Sequence, residues 1–159
     1  MDARELAAEL SQPGAQDLLH DPGPARLAYT GPDGFPRVVP VGFVWTDERV
    51  VACTAVTAPK VKALSARPNV ALTIDTMGPP ARALLIRGTA ETEIVDGVPP
   101  EYLAAAAKSL DGAGLAAFEE QVRSTYPQMA RIAVTPRWAR FFDFGAGRLP
   151  GFLRELTSG

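Results

Sequence analysis

The sequence predicts a mainly β fold of the α+β class: a six-stranded antiparallel β-barrel with peripheral helices, occupying residues 1–159 as one domain. Three observations carry this. About six apolar or β-branched runs are separated by Gly/Pro turns. Helical patterns collect in the middle and at the ends rather than alternating with strands, which argues against βαβ units. A chain of 159 residues, 47% hydrophobic and 21% charged, suits one well-cored globular unit and leaves no room for a second.

From Asp2 to Leu10, Leu6 and Leu10 stand at helical spacing, and Ser11-Gln-Pro-Gly14 ends the run with turn chemistry. Ala25 to Thr30 is a short apolar strand, and Gly31-Pro-Asp-Gly34 is a hairpin turn before the next run at Phe35. Between Arg37 and Trp45, Val39, Val41, Phe43 and Trp45 share one face while Val38, Pro40, Gly42 and Val44 share the other. Both faces read as buried. Pro40 offers no backbone donor and Gly42 no side chain, so this strand lies at an edge or where something approaches its backbone closely.

Thr46 to Arg49 turns the chain into a strand over Val50 to Thr57, followed by a short helix from Ala58 to Ala66 that Pro68 closes. Asn69 to Asp75 is a strand, Met77 to Pro80 a loop, and Arg82 to Val95 a long strand bent at Gly88. Glu101 to Leu110 and Leu115 to Thr125 are helices of an insertion spanning 99–126. Arg131 to Val134 and Trp138 to Phe144 form a final strand pair, or one long strand interrupted at Pro136; residues 145–159 are a tail.

Composition excludes several function classes. Sixteen basic and eighteen acidic side chains give a net charge of −2, so no global positive field exists for nucleic acid or an anionic membrane. Any anion site must be local. The single cysteine, Cys53, excludes a disulfide framework and cysteine-rich zinc sites, and reads as a buried, inert thiol in a reducing, cytoplasmic setting. The N-terminus lacks the basic and apolar regions of a signal peptide, and no run approaches the roughly 18 apolar residues of a spanning helix. The only histidine, His20, falls in a loop, so histidine-centred catalysis is not expected; catalytic residues remain unassigned and no metal site is read.

Two acid-free basic segments stand out. Thr54 to Ile74 carries Lys60, Lys62 and Arg67, and Gln121 to Phe142 carries Arg123, Arg131, Arg137 and Arg140. Each reads either as solvated surface or as an anion site. The first has the better geometry, because Thr57 and Ala58 stand at a strand-to-helix junction whose free N–H groups and dipole favour a phosphate. Most aromatics, among them Trp45, Phe141, Phe142 and Phe144, read as core. Trp138, between Arg137 and Arg140, reads as a site wall able to stack on a planar ligand.

These residues resemble the flavin-binding split-barrel family of pyridoxamine 5'-phosphate oxidase and its deazaflavin-using relatives, over about Ala25 to Phe144. The likeness rests on Arg37-Val-Val-Pro-Val41 after its turn, and on Cys53 to Ile74, which resembles the family's strand, phosphate loop, helix and strand. The resemblance implies a split barrel and an FMN-dependent oxidoreductase of unassigned substrate. It implies that Arg37 and Lys60 neutralise phosphate with Lys62 as a second contact, that Val38, Val39 and Pro40 run along the ring, and that Thr54 lies near the ring or ribityl chain. It further implies a homodimer in which Trp138 and Arg140 come from the partner chain. The alternatives are an 8-hydroxy-5-deazaflavin cofactor, with Arg123, Arg131 and Arg137 receiving its acidic tail, and a non-catalytic flavin- or haem-binding module. The chain departs from the oxidase at Gly42 and at Ala58-Pro59, and it lacks the oxidase's C-terminal signature, so pyridoxamine phosphate oxidation is not expected.

Overall fold

The computed structural model describes residues 1–157. In chain order the elements are α1 (Ala3–Leu10), α2 (Pro13–Leu19), β1 (Ala25–Thr30), β2 (Pro36–Val41), β3 (Val44–Thr46), β4 (Arg49–Ala55), α3 (Pro59–Ala66), β5 (Asn69–Thr76), β6 (Arg82–Asp96), α4 (Pro100–Ala106), α5 (Gly112–Thr125), β7 (Gln128–Asp143) and α6 (Gly151–Thr157). The strands form one antiparallel sheet in the order β2-β1-β5-β6-β7-β4-β3. It has seven strands rather than six, because the run from Arg37 to Trp45 is two strands and not one.

That division curls the sheet. The two outermost strands of the sheet, β2 and β3, are joined only by Gly42 and Phe43. Three residue steps span at most about 11 Å. The sheet must therefore curl until its edges nearly meet, giving a barrel left open along one seam. Phe43 is fully buried at that seam, with the Lys108 ammonium 3.7 Å from its ring centroid and donating to the Asp21 carbonyl at 2.9 Å. Burial lowers the pKa of Lys108 below the ordinary lysine range, against the opposing pull of Asp21.

Alternation along the strands builds the interior from Leu27, Leu72, Leu84, Ile86, Ile132, Val134 and Phe141. The outer side of β2 departs from expectation. Val38 is 65% exposed and Pro40 is exposed, because β2 is an edge strand whose outward row meets no other layer of the chain.

β6 and β7 form a long ribbon. β5 pairs along the first half of β6 and β4 along the first half of β7, which leaves the second half of β7 with an open edge. Open edges invite pairing with foreign strands. Here the N–H of Phe141 donates to Glu9 Oε1 of α1 at 2.7 Å, and the N–H of Asp143 donates to the Arg148 carbonyl at 3.1 Å. Glu9, only 9% exposed, also accepts from Arg148 Nη2 at 2.7 Å, so one carboxylate fastens both chain ends to the barrel.

Local chemistry explains the helices. Asp2 and Glu5 form a reciprocal capping box at α1. The expected turn at 11–14 instead opens α2, since Pro13 suits a first helical turn and a Cβ at Gly14 would overlap the Phe141 ring. The insertion, α4 and α5, packs a second small core of Val98, Val122 and Met129 under Tyr102, Phe118 and Tyr126. The tail contains α6, which the sequence reading leaves without structure. No helix among the described residues is long and apolar enough to cross a membrane.

Replacing Glu9 by Ala orphans a backbone donor and an arginine together. Urea denaturation is expected to show a loss of about 1–3 kcal/mol, whereas Glu5→Ala on the exposed side of α1 costs about 1 kcal/mol or less.

Candidate functional site

The sheet register aligns one outward row: Val38 of β2 opposite Ala28 of β1, Ala28 opposite Ala71 of β5, Ala71 opposite Arg87 of β6, and Arg87 opposite Trp138 of β7. A second row runs through Pro40, Arg26, Thr73, Leu85 and Arg140. Val38, Pro40, Trp138 and Arg140 thus share one outer face. They do not meet within one chain. Four strand spacings separate Val38 from Trp138, about 19 Å along a sheet whose outer side is convex.

A bulge shapes the β7 end of that face. Between Arg87 and Gly88 the register shifts so that Arg87 opposes Trp138 and Gly88 opposes Pro136, leaving Arg137 as the extra residue. Gly88 permits this close passage, since a Cβ there would overlap the Thr135 carbonyl oxygen. The Arg87 guanidinium lies 4.2 Å from the Trp138 ring centroid.

Two clefts flank the Arg87–Trp138 stack. One, about 450 Å³, lies over β1, β5 and the bulge and holds Arg87 and Arg137 with no carboxylate in its lining. The other, about 560 Å³, lies between Trp138, Arg140 and Phe142 and the returning segment at Arg148 to Gly151. Its acid, Glu9, is held by Arg148, and Arg140 approaches the other oxygen of Glu9 only at 3.9 Å.

The phosphate-loop candidates lie elsewhere. β4 ends at Ala55, Ala58 N–H donates back to the Ala55 carbonyl at 3.1 Å, and Pro59 opens α3 without a side-chain cap. Val61, Ala63 and Leu64 of α3 are buried, which turns Lys60 and Lys62 outward; Lys60 is half-buried and Lys62 exposed. Among the described residues neither lysine has a carboxylate partner, and neither does Arg67 or Arg137. Thr54 is half-buried on β4 opposite Ala130.

Other cations are held internally. Arg37 pairs with Asp33 at 2.8 Å across the hairpin and donates to the Phe35 carbonyl at 3.2 Å. The hydrogen bond between Arg37 and Asp33 holds the Asp33 carboxyl below its ordinary range and raises Arg37 further. Val39 packs against the core, on the opposite side of β2 from Val38 and Pro40. Arg123 bonds Glu119 at 2.9 Å, and Arg131 bonds Glu101 at 2.7 Å with both side chains mostly buried. Burial opposes the Glu101 charge, yet the hydrogen bond and charge of Arg131 outweigh it and keep that carboxyl below its usual value. Of the three arginines expected to receive an acidic tail, only Arg137 has no carboxylate partner.

Sequence reasoning missed Glu9, Arg148 and the return of the C-terminal segment over β7. A lone glutamate on a short helix and an arginine between Gly and Pro carry no short-range signal, because their pairing spans 139 positions. His20 sits at the end of α2, its Nδ1 2.8 Å from the Gln16 carbonyl oxygen.

Comparison with known proteins agrees with the architecture. The chain belongs to the pyridoxamine 5'-phosphate oxidase family, whose model matches residues 11–143. Among solved structures it is similar to an F420 reductase, at 27% identity and a TM-score of 0.60, covering 78% of this chain and 94% of that one. It is also similar to a conserved hypothetical protein of Mycobacterium tuberculosis, at 18% identity and a TM-score of 0.66, covering 94% and 89%. The haem storage protein HutZ of Vibrio cholerae matches at 16% identity and a TM-score of 0.57, covering 83% and 93%. No curated protein matches the sequence.

Cys53, expected to be buried, is half-buried on β4 against the core of the insertion. Burial, assisted by Glu101, pushes its thiol up to about 12, so almost no thiolate exists at pH 8. An aromatic disulfide reagent is expected to modify the native protein at least about a hundredfold more slowly than the urea-unfolded chain. Equal rates would contradict the placement of Cys53.

Proposed function

We propose that the chain is a flavin-type oxidoreductase module that binds a tricyclic cofactor with a ribityl phosphate, in a homodimer whose partner supplies Trp138 and Arg140. The carrying observation is the acid-free α3 segment, where Lys60 and Lys62 stand without carboxylate partners while Arg37, Arg123 and Arg131 are held by their own. Two outward ammonium groups beside an uncapped helix start fit a phosphate group. The outward row of β2 adds an apolar surface of Val38 and Pro40 against which a flat ring can rest, with Thr54 nearer the chain that links ring to phosphate. Arg37 joins this set only if the phosphate displaces Asp33.

The fit accounts for the scarcity of acid–base side chains, since the bound cofactor itself supplies hydride transfer. The protein's residues then bind and orient. Lys60 and Lys62 hold the anion, the backbone of Val38 to Pro40 backs the ring, and Trp138 walls the substrate side. The separation of Val38 from Trp138 on the convex face supports a second chain as the source of that wall.

Between the two cofactors, the likeness to an F420 reductase favours the 8-hydroxy-5-deazaflavin, and with it a deazaflavin-dependent reductase of a small organic substrate. FMN is the second reading, favoured by the same lysines, which serve either phosphate. A haem-binding or other non-catalytic role has less support, because the likeness to HutZ speaks for the fold alone.

Titration with FMN and with the deazaflavin, singly and in competition, tests the reading. One of the two is expected to saturate the protein, and Lys60→Gln and Lys62→Gln are each expected to weaken it roughly tenfold. Failure of both cofactors to bind the folded protein overturns the proposal.

A further inference from the structure

The cleft over β1, β5 and the β6–β7 bulge holds Arg137, which the deazaflavin reading gives to the cofactor's acidic tail, beside Arg87 and polar groups that reading does not use. Its floor is Ala28, Ala71 and Gly88, small enough to leave the sheet surface open. Its cations are Arg87 and Arg137, and the lining contains no carboxylate. Around them Thr30, Asn69 and Thr89 present side-chain polar groups that hydrogen-bond to nothing else among the described residues.

Each arginine is placed by a separate device. The bulge makes Arg137 the residue without an opposite partner, and Gly88 is what allows the bulge. Arg87 is oriented by its stack on Trp138, which leaves its in-plane N–H groups free of any carboxylate. Two guanidinium groups without counter-ions in one shallow, open cleft raise the local potential, although the whole chain carries −2.

We propose that this cleft binds the oxyanion group, carboxylate or phosphate monoester, of a small organic acid. Arg87 and Arg137 grip the charge, Thr30, Asn69 and Thr89 complete its hydrogen bonds, and the apolar body lies on the alanine floor. The volume, about 450 Å³, suits a small metabolite. Neither Lys60 nor Lys62 lines the cleft; the site shares Arg137 and Trp138 with the cofactor reading but needs no bound cofactor to hold an anion.

Phenyl phosphate, benzoate and neutral benzyl alcohol are the probes, used on the full-length protein by calorimetry. Tryptophan emission is followed in parallel in Trp45→Phe, where Trp138 is the sole remaining tryptophan. One of the two anions is expected to bind saturably and to shift Trp138 emission through Arg87, while benzyl alcohol does not bind. Arg137→Gln and Arg87→Gln are each expected to weaken binding roughly tenfold, and Arg123→Gln, on the insertion, by less than about twofold. Whichever anion binds more tightly names the group. Lys60→Gln is expected to lose cofactor and keep the probe, so the two proposals fail separately. Absence of saturable binding by either anion, or equal affinity in the arginine variants, overturns this one.

Discussion

Everything in this molecule depends on how short the connection is between the two outermost strands of its sheet. Gly42 and Phe43 alone separate β2 from β3, and no flat seven-stranded sheet can have its edges so close. The curl that results encloses one continuous core, with Phe43 buried at the seam and Lys108 laid across its ring. It also places the outward residues of β2 and β7 four strands apart on a convex surface, so Val38 and Trp138 of one chain do not meet.

Charge distribution then separates structural cations from available ones. Arg37, Arg82, Arg123, Arg131 and Arg148 each meet a carboxylate of the same chain; the pairs of Arg82, Arg131 and Arg148 tie α2, α4, α1 and the tail to the barrel, while those of Arg37 and Arg123 are local to the hairpin and to α5. Among the described residues, Lys60 and Lys62 near the start of α3 and Arg87 and Arg137 at the bulge of β6–β7 have no carboxylate partner. A nearly neutral protein can therefore hold two local anion sites without any net positive charge, because each is defined by which neighbours are missing rather than by how many arginines are present.

Much of the fold was legible in the sequence for local reasons. The short apolar strand Ala25 to Thr30, the Gly31 to Gly34 turn, the helix read over Ala58 to Ala66 and found one residue shorter, and the bend at Gly88 depend on residues close in the chain. Pro136 interrupts nothing, since it sits opposite Gly88 at the bulge inside one long strand. The misses have long-range causes. The break at Gly42 is a demand of barrel closure, the start of α2 rests on Gly14 fitting against Phe141, and α6 follows a segment anchored by Glu9. At the candidate site, the acid-free character of 54–74 was readable from composition. That Asp33 holds Arg37 needed coordinates, although the two are only four residues apart. Phe144, expected in the core, is 46% exposed because it follows the end of β7 where the chain leaves the barrel.

The central claim is that a phosphate-bearing tricyclic redox cofactor belongs to this barrel. Its most direct test is the visible absorption spectrum of the protein as purified from cells able to make both cofactors, followed by the mass of the chromophore released on denaturation. The account predicts a flavin or deazaflavin spectrum and a released mass containing a ribityl phosphate. A haem spectrum, or a colourless folded protein that stays colourless when either cofactor is supplied, would contradict it.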